Sequence, residues 1–358
     1  MPPFSTDGRV VLAMRDYSAV RALVVGGTGF IGPEVVRQLV AGGCDVAVAH
    51  RGVHESDLPT AVKHVHCERR TLQADRDTFS SLDPDVVIDM RPMTEEDARH
   101  FVDAFTGVAR QAVVVSSADV YRAYGRLNGT EPGPPDPVPL REDAPLRQRL
   151  YADRDAPPHD RAGDLDRYDK ILVERVVSSE PRLPVSILRL GMVHGPRSYR
   201  HYAYIKRMAD GRPGIVLADT WARWRGTLAY SENVAAAIAL VALRREARGA
   251  YNVGDAAPTP TAELVASLAA ASGWSGRIVT VPIADLPEPM RPGVDTAQEL
   301  ILDTSRIRDE LGYSEPVPAA EGFRRTVEWA TAHPPGPDQP MGRLRLDYGA
   351  EDDLLRTH

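Results

Sequence analysis

Cysteine is almost absent: the 358 residues include two, Cys44 and Cys67. That excludes a disulfide-built scaffold and fits a reducing cytosol, so a cytoplasmic location is expected. No apolar run approaches the roughly 20 residues of a membrane-crossing helix, which excludes a membrane span of that kind. The start lacks the basic stretch and roughly 7–15-residue apolar core of a secretory signal. Residues 1–20 read instead as a disordered leader outside the fold. Positive charge is not in surplus: 43 Lys+Arg stand against 50 Asp+Glu, a formal net charge of −7. Nucleic-acid affinity rests on clustered positive charge, so a generic polyanion binder is disfavoured. Metal-ligand spacing is missing too. His64 and His66 share one strand face, yet no cysteine or carboxylate set completes a site with them, His50 or His54, and no metal is expected. There is no internal repeat.

What is present is an ordinary globular composition, 43% hydrophobic, long enough for about two domains. Short β-branched runs at 22–25, 46–49, 62–65, 86–88 and 112–115 alternate with helical patterns. Ile31, Val35, Val36, Leu39 and Val40 recur at helical spacing before Gly42-Gly43 stops them. Thr94-Glu95-Glu96 opens a second helix to about residue 105, as an N-cap with an acidic first turn. Repeated strand–helix–strand units imply right-handed crossovers and a parallel sheet, a doubly wound α/β (Rossmann) fold. Residues 122–165, rich in proline and charge, interrupt this rhythm; they read as a long loop over the sheet's C-terminal edge, a lid or a flexible insertion. A helix is expected from 167 to about 178 and a strand at 185–190. AYNVGD reads as a strand leaving the sheet, and helices are expected at 261–272, 303–311 and 319–332. The division is therefore a dinucleotide-binding domain at 21–190 and a smaller C-terminal substrate lobe at 191–333. A tail at 334–358 is expected to be poorly ordered or docked on a partner subunit.

The strongest motif follows the first strand: Gly26-Gly27-Thr28-Gly29-Phe30-Ile31-Gly32. Glycines at G-x-x-G-x-x-G spacing allow a tight turn, close backbone approach to a pyrophosphate, and close helix–strand packing, while the helix start offers N–H groups to the anion. The second strand ends Ala49-His50-Arg51-Gly52, without the acid that usually holds an unphosphorylated adenosine ribose. Arg51, assisted by His50, suits a 2′-phosphate, which favours NADP(H) over NAD(H). Glu68, after the third strand, is placed either for the adenine amino group or as a surface charge, and Met90, after the fourth, for the cofactor wall.

These residues and three later motifs resemble the extended short-chain dehydrogenase/reductase superfamily of the NAD-dependent epimerase/dehydratase type, from about Arg21 to Trp329. Ser116-Ser117-Ala118-Asp119-Val120-Tyr121 is similar to that family's S-S-x-x-V-Y. The resemblance puts the catalytic hydroxyl on Ser117 and a cofactor contact at Ser116; turn capping is the structural alternative for both. Arg189 to Arg197 resembles the motif that passes the nicotinamide, implying contacts at Leu190 and Val193. Arg225-Gly226-Thr227 resembles the substrate-side arginine, which binds a diphosphate in sugar-nucleotide members. The family's helix-pair dimerisation implies a homodimer.

The chain departs from the family at its chemistry. The family's Tyr-x-x-x-Lys helix is in register here with Lys170 and Glu174, which puts Asp166 at the tyrosine position. The resemblance leaves Lys170 the ribose contact. Asp166 is either a base or a helix N-cap. Tyr168, two residues before Lys170, would lie about 200° around a helix from it, so it serves only if 167–169 is not helical. Tyr151, Tyr124 and His194 are the other candidates around the substrate, Tyr151 for proton transfer. The expected enzyme transfers hydride at a secondary alcohol or ketone, with a small molecule held between the sheet edge and the C-terminal lobe. Epimerisation or dehydration would begin with the same oxidation. A dinucleotide-binding isomerase or lyase without net redox chemistry, and a non-catalytic sensing module, are the alternatives.

Overall fold

The computed structural model describes residues 19–53, 57–152, 154, 165–337 and 339–358. Residues 1–18 of the expected leader lie outside them, as do His54 and the second proline-rich stretch of the insertion. Seven parallel strands form the central sheet: β1 (Arg21–Val25), β2 (Asp45–His50), β3 (Lys63–His66), β4 (Val86–Asp89), β5 (Gln111–Ser117), β6 (Val185–Leu190) and β7 (Gly249–Val253). Their order across the sheet is β7-β6-β5-β4-β1-β2-β3, so the chain winds outward from β1 first one way and then the other. The segment expected to leave the sheet is thus its edge strand: Ala250 pairs with Ile187 and Val253 with Leu190.

Alternation along each strand divides the core between the two faces. Leu23, Val25, Val87 and Val114 meet Phe101 and Phe105 of α2 (Glu95–Phe105) and Val173 and Val177 of α3 (Lys170–Ser178). Ala22, Val24, Ile88 and Val113 meet Val35, Val36 and Leu39 of α1 (Gly32–Ala41) and the alanine-rich α4 (Ser231–Ala242). Both faces being covered explains why the strands read as unbroken apolar runs. The Thr94 cap of α2 is a full capping box, reciprocated by Asp97.

A second core fills the C-terminal lobe, where Leu264, Val265 and Leu268 of α5 (Thr261–Ser272) pack against Phe323 and Val327 of α6 (Ala319–Ala332). The tail packs on its own chain. Its helix α7 (Tyr348–Thr357) inserts Leu354 and Leu355 beside Val279 and Val281, and Arg207 and Arg212 pair with Glu351 and Asp352. The described part of the proline-rich insertion is likewise fastened. Asp136 pairs with Arg122 at 2.6 Å and Arg126 at 2.7 Å, and a bridge links Leu140 to Leu302 of the C-terminal lobe. Its apolar residues are buried as well: Leu127 and Leu140 pack with Tyr121, Ile171, Trp224 and Leu300, so the insertion shares a core with the C-terminal lobe.

Candidate active site

The turn between β1 and α1 is shaped by what its glycines exclude. Gly26 takes φ 81° and donates its N–H to the Ala49 carbonyl at 2.9 Å. A Cβ on Gly32 would stand 2.6 Å from the Gly27 carbonyl carbon, so the helix start packs on the loop only without a side chain. Gly29 differs: its nearest neighbour would be the Gly26 oxygen at 3.9 Å, and it faces open space. No side chain caps Ile31, the N-cap of α1; Pro33 has no N–H and the Glu34 N–H bonds the Ile31 carbonyl at 3.1 Å, so Gly32 is the first-turn donor left outside the helix ladder. Above this turn opens a cleft of about 540 Å³ walled by Gly26, Thr28, Gly29, His50, Arg51 and Glu68. A Cβ-free cradle under a cleft with an exposed arginine fits a pyrophosphate and a second phosphate. Phe30 completes the turn, and Met90 backs Gly26, its Cβ 3.7 Å from where a side chain there would begin.

The remaining walls include Arg69, Arg70 and Arg91, which motif spacing did not single out. Arg69 grips buried Asp89, at the end of β4, through two bonds of 2.8 and 2.6 Å. The signal was visible as the charge run Glu68-Arg69-Arg70 after β3 and a lone acid closing the apolar Val86–Asp89. His50 is almost enclosed; its Nε2 lies 2.8 Å from His64 Nδ1, and its Nδ1 accepts the Gly52 N–H at 3.1 Å. It shapes the end of β2, which presents Arg51.

At the sheet's C-terminal edge the two serines part company. Ser116 is buried and its hydroxyl donates to Glu174 at 2.6 Å, toward the core. Glu174 is also gripped by Arg189, which donates at 3.1 Å to Tyr121, whose hydroxyl in turn donates to Asn252 at 2.6 Å. This network ties the motif's tyrosine and α3's glutamate to β6 and β7. Ser117 is half-buried, and its Oγ accepts the Asp119 N–H at 3.2 Å. It caps a turn, and its hydroxyl also bears on the Asp119 carboxyl.

Lys170 is buried where β4 and β5 end, donating to the Pro92 carbonyl at 2.6 Å and the Val115 carbonyl at 3.1 Å. Two of its three N–H groups are thereby used. Burial lowers its ammonium to about 8, against the opposing pull of Asp119 and Asp89. The helix expected from 167 begins only at Lys170, and its N-cap is Asp169, which accepts the Ile171 N–H at 2.8 Å. Asp166 is therefore neither the cap nor on one helical face with Lys170. It lies exposed in a preceding single turn.

Tyr168 meets the condition set for it. Residue 169 is extended, Tyr168 bridges Thr94 as a strand residue would, and its hydroxyl donates to Asp119 Oδ2. Burial pushes the Asp119 carboxyl up, with Tyr168, Arg147 and Lys170 pulling it down. Tyr151 lines a separate hollow of about 300 Å³ beside Thr94, Glu95 and Arg167, its ring 4.1 Å from the Arg154 guanidinium. Tyr124 is half-buried against Tyr121, Ile171 and Trp224.

Two substrate-side candidates, His194 and Arg225, and two cofactor-side candidates, Leu190 and Val193, are engaged by other parts of the chain. His194 is enclosed, stacked on Phe323 at 5.0 Å and 3.1 Å from Thr326 Oγ1, and burial lowers its imidazole to about 4. Its packing leaves no face for a ligand. Arg225 is engaged by Glu299 through two bonds of 2.7 Å. Leu190 is buried in the core beneath α4, while Val193 offers its carbonyl to Arg200 Nε at 2.9 Å.

Residues 22–138 match the family described as NAD dependent epimerase/dehydratase. A 2′-dehydrokanamycin reductase from Streptomyces kanamyceticus is 28% identical over 82% of this chain and 77% of that protein. Among solved structures, the UDP-glucose 4-epimerase of Thermus thermophilus, in complex with NAD, is 22% identical, covering 87% of this chain and 98% of that one with a TM-score of 0.61. The epimerase Mth375 of Methanothermobacter thermautotrophicus, 18% identical, covers 88% and 94% with a TM-score of 0.65. These two structures share the fold.

Proposed function

We propose that the chain is an NADP(H)-dependent reductase of a ketone on a sugar-like substrate, a reading supported by the match of residues 22–138 to the NAD dependent epimerase/dehydratase family and by the reductase relative. The observation that carries this reading is the glycine cradle opening into a cleft whose rim bears Arg51 where an acid would select NAD. The 28%-identical relative, named as a reductase, supports the direction of the reaction.

When bound, the nicotinamide supplies the hydride. The chain's part begins with the Gly26–Gly32 turn, whose backbone would hold the pyrophosphate, and Arg51, which would pair with the 2′-phosphate. Lys170, pinned by two backbone carbonyls, turns its third N–H to the nicotinamide ribose. Ser117, its Oγ already accepting from Asp119, directs its proton to the substrate carbonyl oxygen and polarises it. Among the described residues no helix is long and apolar enough to cross a membrane.

The test is to follow NADPH oxidation with a panel of keto-sugars and keto-glycosides, alongside direct NADPH binding. Turnover that Ser117→Ala and Lys170→Ala both depress supports the reading. Absence of dinucleotide binding refutes it.

A further inference from the structure

The family's helical tyrosine position holds Asp166, and the structure removes Asp166 from the site by starting the helix four residues later. The segment before Lys170 runs extended instead, clamped by the Asp169 N–H on the Met93 carbonyl at 3.1 Å and by the bridge between Tyr168 and Thr94. Successive side chains of an extended segment point to opposite sides. Asp169 accordingly turns toward its cap, where it accepts the Tyr151 N–H at 2.6 Å, while Tyr168 turns toward Asp119. Asp119 lies two residues beyond Ser117, and its N–H binds the Ser117 hydroxyl. Its Oδ2 accepts the hydrogen bond of the Tyr168 hydroxyl, whereas Oδ1 is buried with no hydrogen-bond partner among the described residues. The phenol thus bonds the Asp119 carboxyl and the serine hydroxyl bonds the same residue's backbone N–H, beside the buried ammonium of Lys170.

We propose that Tyr168 and Asp119 together replace the family's helical tyrosine: Tyr168 transfers the proton to and from the substrate oxygen, and Asp119 holds and returns it. The proposal rests on the redox reading above. In reduction the carbonyl carbon accepts a hydride from reduced nicotinamide and the C=O π pair moves to oxygen. That oxygen takes the Tyr168 hydroxyl proton, the phenolate takes a proton from the Asp119 carboxylic acid, and water reprotonates the carboxylate. Oxidation of an alcohol runs the same steps backwards. The raised affinity of buried Asp119 for its proton suits it to this exchange. Tyr168 is the catalytic residue, and Asp119 positions and recharges it.

The first arm uses Tyr168→Phe, which keeps the ring in its bridge. Its kcat should fall by about 10²–10⁴-fold, the usual contribution of general acid catalysis, with NADPH affinity within about threefold of wild type. In Asp119→Asn the slow rate should come with loss of an ionisation from the kcat–pH profile. Tyr151→Phe and Asp166→Asn should leave kcat within about threefold. The second arm needs neither cofactor nor substrate. The phenolate absorbance of wild type minus Tyr168→Phe isolates one tyrosine, and in Asp119→Asn that phenol should ionise at least about one pH unit lower because a neighbouring negative charge is gone. A Tyr168→Phe enzyme with unchanged kcat, or an unmoved phenolate titration, overturns the proposal. Failure of the wild type to bind NADPH instead refutes the redox reading, with the titration still deciding whether the pair exists. Should Tyr168→Phe misfold, the near-isosteric Asp119→Asn decides through its pH profile.

Discussion

Two alanine substitutions three residues apart, Gly29→Ala and Gly32→Ala, should separate binding from folding in the same loop. At Gly32 the added Cβ would meet the Gly27 carbonyl carbon at 2.6 Å and its Cα and oxygen at 2.7 Å. All three are backbone atoms, so relief requires moving α1 off the sheet. Overpacking of this kind costs about 1–3 kcal/mol, and the denaturation midpoint should drop accordingly. At Gly29 the nearest atom is 3.9 Å away and φ is not positive, so the methyl is accommodated and stability should stay within about 0.5 kcal/mol of wild type. Gly29 lines the cleft, so the methyl enters it beside the backbone assigned to the pyrophosphate. Losing one charge-assisted hydrogen bond costs about 1.5–3 kcal/mol, so NADPH should bind roughly 10–100-fold more weakly. Fluorescence titration with NADPH and urea denaturation, run on both variants, read the two quantities independently. A Gly29→Ala protein that binds NADPH as wild type does would refute the assignment of the loop to phosphate.

Replacing Arg51 with alanine should weaken NADPH by about tenfold or more while leaving NADH within about twofold, because only the former carries the extra phosphate that an arginine pairs with. Because burial holds Lys170 at about 8, its charge is present below that pH and lost above it. NADPH affinity should therefore decline as pH rises through about 8, and Lys170→Met should abolish the decline. The sign for folding is opposite: this group opposes the fold below about pH 8 and the penalty is relieved as pH climbs toward 10.5, which pH-dependent denaturation of wild type against Lys170→Met would show. Glu174→Ala leaves the Arg189 guanidinium buried without its carboxylate, a loss of about 3–5 kcal/mol in chemical denaturation. Burial pushes the Cys44 and Cys67 thiols up to about 11, so both should react slowly with a thiol reagent at neutral pH in the native protein and quickly once unfolded.

The glycine spacing and the apolar strands were legible because their physics is local: a turn that tolerates no Cβ, and strands covered on both faces. The Thr94 cap and the helices Thr261–Ser272 and Ala319–Ala332 read correctly for the same reason. What the sequence hid was long-range pairing. Nothing near Ser116 announces that its hydroxyl belongs to Glu174, 58 residues on, or that His194 will lie against Phe323. Edge strand Gly249–Val253 joins β6 across a gap that periodicity does not span. The start of α3 was misplaced because Asp166, Arg167 and Asp169 are all plausible first-turn residues. The choice of Asp169 is made by tertiary partners: the Met93 carbonyl, the Tyr151 N–H and the Arg147 guanidinium at 3.6 Å. That three-residue difference decides whether Tyr168 faces away from the site or into the Asp119 carboxylate.

The most direct measurement is a fluorescence titration of the purified protein with NADPH and NADH, paired with a check for dinucleotide released on denaturation. A saturable NADPH signal, stronger in affinity than that of NADH, is the predicted result. A protein that binds neither and releases neither contradicts the central claim that the cleft above Gly29 is built for a nicotinamide dinucleotide.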